Sequence, residues 1–237
     1  MSSQSETGHA KTVYSFIDMV SIVPLLGDAY RPPVDAISHA ALVAAGRQAE
    51  ESLHHLYSVS ITYKQVIARR SAEFKELALL VTRINAIATC CRFDERSLRN
   101  LHSLVVKIRG GKKAKPADAQ KPTRKYKTSQ RSFTMMASNF STLVSVVAAN
   151  PLYQANEPEL QREALVAFAS QLQRTNEQVI EVDNRVKQAR ENRDRLLYTN
   201  PDSLYALSRM LKAYVKVAFG PSHGMVKKIC GIYIKKK

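Results

Sequence analysis

The chain has 237 residues, 45% of them hydrophobic, and a formal net charge of +16. That is enough apolar material for a sizeable core and too much for a disordered tail. Eight glycines and nine prolines are too few for a turn-rich β-sandwich or barrel, and three cysteines do not make a disulfide framework. The cysteine usage suits a reducing compartment, so a cytoplasmic location is expected.

Residues 1–11 are polar, lack the apolar run of a signal peptide and are expected to be flexible. No uninterrupted apolar stretch approaches the ~20 residues of a membrane span. Ser15-Phe16 opens an apolar helical run, Ile17, Val20, Val23 and Leu26, that stops near Tyr30 and the turn Pro32-Pro33. No proline then occurs before Pro116, which predicts one long helix from about Asp35 to Cys90, with Gly46 the place for any bend. Its apolar seam passes through Leu42, Ala45, Ala49, Leu53 or Leu56, Val59, Tyr63 and Val66, then Leu77, Leu80, Ile84 and Ile87. Asp94 is placed to cap a further helix ending at Gly110-Gly111.

Ser132-Phe133 opens the next run, through Met136, Phe140, Leu143 and Val147. Steps of three and four then connect Leu165, Phe168, Leu172, Thr175, Val179, Val182, Val186, Ala189, Arg193 and Leu196 without a break. This is a heptad seam, predicting a helix from about Glu157 to Thr199 with Asn156 as its cap and Pro158 in its first turn. Asn200 is expected to cap a last helix, Pro201 to Phe219, that stops at Gly220-Pro221. Ile229, Ile232 and Ile234 alternate like a short strand with no evident partner.

The two halves look related. An offset of 123 pairs Tyr30 with Tyr153, Ala41-Leu42 with Ala164-Leu165, Gln48 with Gln171, Val59 with Val182, Lys64-Gln65 with Lys187-Gln188, and Arg70 with Arg193. Matches in unbroken order point to duplication. The expected fold is therefore all-α: two related helical-bundle units with long antiparallel heptad-patterned helices, joined by a basic linker. The boundaries read as 12–109 and 132–220 for the units, 110–131 for the linker and 221–237 for a basic tail.

Several short motifs recur in one family. They are Leu26-Gly27-Asp28-Ala29-Tyr30-Arg31-Pro32, Leu80-Val81-Thr82-Arg83-Ile84, Lys107-Ile108-Arg109-Gly110, Tyr153 with Asn156-Glu157, Leu197-Tyr198, and Lys212-Ala213-Tyr214-Val215-Lys216 followed by Phe219-Gly220. Together they resemble an uncharacterised family of duplicated, all-helical bacterial proteins with a basic central linker. The resemblance implies the helical fold and the duplication; it brings no activity, cofactor or site residue with it.

Charge is the strongest functional signal. Between Lys107 and Arg131 ten basic residues face the single acid Asp118, a net +9. Val226 to Lys237 adds +5 with no acid, which leaves about +2 for everything else. Cations clustered in this way release condensed counterions together when they meet a polyanion. The expected function is non-enzymatic binding of an anionic partner, DNA, RNA or a ribonucleoprotein, by phosphate contacts that carry little sequence preference. The residues are Lys112, Lys113, Lys115, Arg124, Lys125 and Lys127, with Lys235, Lys236 and Lys237 assisting. Tyr126 is the one aromatic in the linker, so no base-stacking platform is expected there. The alternative is a structural or self-assembling helical scaffold, a homo-oligomer paired through its seams, in which the linker only joins the halves.

Catalytic and metal chemistry find little footing. Glu51-x-x-His54 has di-iron spacing but no second copy, and the i,i+4 pairs Glu50–His54 and Glu51–His55 account for it as surface contacts. Cys90-Cys91 fits neither a redox Cys-x-x-Cys nor a zinc site and is expected to be buried. Gly110-Gly111-Lys112-Lys113 lacks the spacing of a phosphate loop. No catalytic residue, metal, cofactor or stable membrane insertion is expected. Arg70 and Arg193 break the seam at matching positions, with Glu73, Glu76, Glu191 and Asp194 as the acids within reach.

Overall fold

The computed structural model describes residues 3–110 and 132–235, with side chains from Gly8 onward. These residues are helical throughout, without a strand: α1 Ser3–Ile22, α2 His39–Cys90, α3 Glu95–Arg109, α4 Phe133–Ala149, α5 Arg162–Asp194, α6 Leu204–Phe219 and α7 Gly224–Gly231. Short 3-10 turns, Asp35–Ile37 and Pro158–Leu160, precede α2 and α5, and a π turn, Arg195–Thr199, follows α5.

The chain divides into two compact units, and each draws on both sequence halves. Unit 1 holds residues 1–62 and 182–237; unit 2 holds 63–181. Neither coincides with the stretches 12–109 and 132–220, because α2 and α5 each contribute their first part to one unit and their last part to the other. In unit 1, α1 packs on α6 and α7; in unit 2, α4 packs on α3. The unit 1 core includes Phe16, Met19, Leu42, Leu197, Leu211 and Ile229, and the unit 2 core includes Leu77, Ile84, Leu101, Phe140, Leu165 and Leu172. Burying each such side chain stabilises the fold by about 1.5–3 kcal/mol before the entropy of ordering it.

The pieces that combine are oppositely charged. Residues 1–62 carry a net −3 and join 182–237, at +9; residues 132–181 carry −3 and join 63–110, at +6. One ion pair spans such a join in unit 2, and hydrogen bonds add to it. Glu73 of α2 accepts hydrogen bonds from Arg69, from Gln171 at 2.9 Å and from Thr175 at 2.7 Å, and Arg83 meets Glu159 at 2.9 Å. Burial pushes the Glu73 carboxyl up, but the bonds from Thr175, Gln171 and Arg69 outweigh it and hold the group below the ordinary carboxylate range.

Both long helices begin later than their periodicity predicts, and for one reason. Tyr30 donates its phenol to the carbonyl of Ile37, and Tyr153 does the same to Leu160 at 3.0 Å. Each bond holds a 3-10 turn whose last carbonyl is diverted from the helix, so α2 starts at His39 and α5 at Arg162. Burial pushes both phenols up to about 12, with Tyr214 adding to the effect at Tyr30 and Cys91 and Glu157 at Tyr153. Arg162 reinforces the second break, donating to the carbonyls of Asn150 and Tyr153 at 2.8 Å; Asn156 caps nothing. α2 runs without a break through Gly46, where a Cβ would lie 3.4 Å from Ile17 of α1.

At the far end of α5 the π turn adds a residue per turn and rotates the seam, so Leu197, rather than Leu196, is fully buried. Arg193 on that seam is 3% exposed, and its Nε and Nη2 both donate to Asp194 Oδ1, at 2.9 and 2.7 Å. Arg70 is solved differently, with its guanidinium 4.3 Å from the centre of the Phe133 ring.

Other expectations are corrected. Ser203, whose hydroxyl accepts from the Ala206 N–H, caps α6 in place of Asn200, whereas Asp94 caps α3 as expected. Ser132 caps α4, but Ser15 lies inside α1. The N-terminal stretch is helical from Ser3, and His9 is buried with its Nδ1 2.8 Å from the Tyr198 hydroxyl. Residues 224–231, read as tail with a strand-like alternation, form α7, because Val226 and Ile229 at i,i+3 share a face that reaches the unit 1 core. Cys90 is exposed, since it ends α2 on the outer side. Gly8–Ala29 is long and apolar enough to cross a membrane by length and composition, a pattern missed by looking for unbroken runs; here Val13, Phe16, Met19, Val20 and Val23 line the unit 1 core.

Candidate nucleic-acid interface

Of the expected contact residues, Lys112, Lys113, Lys115, Arg124, Lys125 and Lys127 lie outside the described residues, as do Lys236 and Lys237. Lys235 is described and exposed, directly after the buried Ile234. The segment 111–131 is flanked by Gly110, which ends α3, and by Ser132, which caps α4; α3 and α4 are packed neighbours in unit 2. Lys107 and Arg109 stand exposed in the last turn of α3, where cations complement the helix dipole.

Unit 1 extends the basic C-terminal segment of the charge count onto α6, whose cations that count did not single out. From Ser203 to the C-terminus the sequence contains no acidic residue. The buried face of α6 is Leu204, Leu207, Leu211 and Val215, which leaves Arg209, Lys212 and Lys216 along one flank at i, i+3 and i+7. Lys212 reaches across to donate to the carbonyl of Ile232, and this pins the segment after α7 against α6. Burial lowers the Lys212 ammonium pKa; Cys230 opposes that shift and Lys216 adds to it, so these groups are close neighbours. Arg209, Lys216, Lys227, Lys228 and Lys235 are all exposed, and none makes an ion pair among the described residues. The signal that would have found the α6 part of this surface is the missing acid after Asp202.

Nothing described assembles a reactive centre. Glu51, His54 and His55 are exposed on α2, and no group of three or more His, Cys, Asp or Glu suited to a metal occurs among the described residues. Cys91 approaches the Gln154 carbonyl at 3.5 Å. A groove of about 590 Å³ in unit 1 runs between His55 and Val59 of α2 and Arg185, Gln188 and Arg195, with mixed charge on its walls. A smaller cavity of about 250 Å³ is mostly apolar, between Ile17 and Val20 of α1 and Leu42 and Val43 of α2. No protein-family model, curated protein or solved structure matches this chain.

Proposed function

We propose that this chain is a non-enzymatic, cytoplasmic helical protein that docks on nucleic acid or a ribonucleoprotein through clustered lysines and arginines. One observation carries the reading: +14 of the net +16 sits in residues 107–131 and 226–237. Contacts from Lys112, Lys113, Lys115, Arg124, Lys125 and Lys127, helped by Lys235, Lys236 and Lys237, go to phosphate and are largely independent of sequence. Deleting residues 110–128 should abolish binding of a polynucleotide, with its salt dependence, and leave the far-ultraviolet helical signal intact. A deletion variant that binds as tightly as the parent ends this reading.

The scaffold on which these segments sit is, on this proposal, a duplication of the kind the family resemblance implies. Its front elements repeat at an offset of 123, Tyr30–Ile37 against Tyr153–Leu160, and its rear elements at 110, Gly110 against Gly220. The change of offset is accounted for by α2, which is 52 residues long against 33 for α5 and 5 for its π turn. The offset falls by 13, one less than the 14 residues by which α2 exceeds α5 with its π turn, so most of the change lies within that helix. The rear of each copy packs with the front of the other, and their opposite charges favour that exchange.

A scaffold built from paired copies is the second reading. It is favoured by exposed apolar side chains on the long helices, among them Tyr57 and Leu79 of α2 and Ile180 of α5. Light scattering separates the two: a defined oligomer that persists at high salt supports the scaffold.

A further inference from the structure

The exposed cations of α6 and α7 make no ion pair among the described residues, and beside them in the chain lies a feature that plain polyanion binding does not need. Tyr233 is 76% exposed, although it lies between Ile232, whose carbonyl is bound by Lys212, and Ile234, which is buried. Its ring is thus presented by a segment fixed at both neighbours rather than by a loose end. Lys212 of α6 bonds the carbonyl just before it, Lys216 is a close neighbour of Lys212, Lys235 follows two residues on, and Lys227 lies on α7. That last side chain shares a face of α7 with Cys230, itself a neighbour of Lys212. An exposed aromatic ring, on a segment held to a helix that carries exposed cations without an ion pair among the described residues, matches what an unpaired nucleotide offers: a base to stack and a phosphate on either side.

We propose that α6, α7 and the segment Ile232–Lys235 form a folded contact surface for single-stranded nucleic acid, with Tyr233 stacking on a base and Arg209, Lys216, Lys227 and Lys235 meeting phosphates. Lys212 is a positioning residue: it holds Ile232 and so fixes the ring. The proposal rests on the polyanion reading above and narrows it to a strand with exposed bases, because a paired base offers Tyr233 no free face. An anionic bilayer is the less fitting partner. Val217, 88% exposed, is the one large aliphatic side chain more than half exposed among the described residues from Leu204 to Lys235, too small an anchor for stable insertion.

The experiment measures fluorescence anisotropy of labelled oligothymidylate, of a duplex of equal length, and cosedimentation with phosphatidylglycerol vesicles. It uses the full chain, its 110–128 deletion, Tyr233→Ala, Tyr233→Phe and the pair Lys216→Glu/Lys227→Glu. Tyr233→Ala should weaken oligothymidylate binding by about five- to a hundredfold, the range for losing one stacked base. It should leave duplex binding unchanged, and Tyr233→Phe should restore the single-strand affinity. The charge-reversed pair should weaken both nucleic acids and flatten the salt dependence. Because all these side chains are exposed, the helical signal should not move. If the full chain binds oligothymidylate and Tyr233→Ala and the charge-reversed pair bind it equally well, this surface is rejected while the linker reading stands. If the linker deletion binds like the parent and the α6–α7 variants do not, the linker reading fails and this surface remains. Binding to vesicles alone overturns both.

Discussion

α3 packs on α4 in unit 2 and α6 packs on α1 in unit 1, and the two helices end alike. Each closes on a glycine in the left-handed half of backbone space, Gly110 at φ 81° and Gly220 at φ 78°, whose N–H bonds the carbonyl four residues back. Each then hands the chain to lysine-rich sequence. Their beginnings differ. α3 opens with Asp94 and Glu95 and keeps some of its charge balanced on the same helix, whereas α6 opens with Ser203 and meets no acid afterwards. Equal frames therefore carry unequal electrostatics. A helix end is dictated by backbone geometry, but the charge on its flank is free to serve something else.

The comparison is tested most severely at the two glycines. Their φ and ψ angles lie where a β-carbon is strained, so Gly110→Ala and Gly220→Ala should each cost about 1–3 kcal/mol in urea unfolding. A loss at one position only would break the equivalence of the two helix ends. A smaller effect is expected at the tyrosines that hold the 3-10 turns. Tyr153→Phe removes a buried hydrogen bond and should cost about 1.5 kcal/mol, and Tyr30→Phe, half-buried, about 0.5 kcal/mol. Because both phenols are raised to about 12, their contribution is complete below the ordinary tyrosine value of ~10 and is lost as pH rises through 12. Absorbance of tyrosinate during an alkaline titration follows this directly; two phenols ionising with the exposed ones would contradict it.

The caps give the finest distinction. Ser203→Ala should cost about 1 kcal/mol at any pH from acid to neutral, since a hydroxyl does not titrate there. Asp94→Ala should behave otherwise. The hydrogen bonds from Ser97 hold the Asp94 carboxyl below its ordinary range, so its contribution is present above the usual carboxylate pKa and disappears as pH falls through the lowered one. Thermal melts across the acid range should thus converge for Asp94→Ala and parent, and stay parallel for Ser203→Ala. Parallel melts for both would mean that Asp94 does not act as a charged cap.

Much of this molecule is local, and local features are written in the sequence. Helical periodicity, the scarcity of glycine and proline, the cap at Asp94 and the stop signals at Gly110 and Gly220 each depend on neighbours a few residues away. They were therefore legible, as was the segregation of charge. What the tertiary structure decided is whatever depends on partners distant in the chain. The long helices start late because Tyr30 and Tyr153 reach seven residues ahead, and α7 is a packed helix because Val226 and Ile229 find the unit 1 core. Which rear segment joins which front segment was equally invisible, since an apolar seam states that it must be covered but not by what. The exposed ring of Tyr233 follows the same rule: one residue's presentation was set by a lysine on another helix.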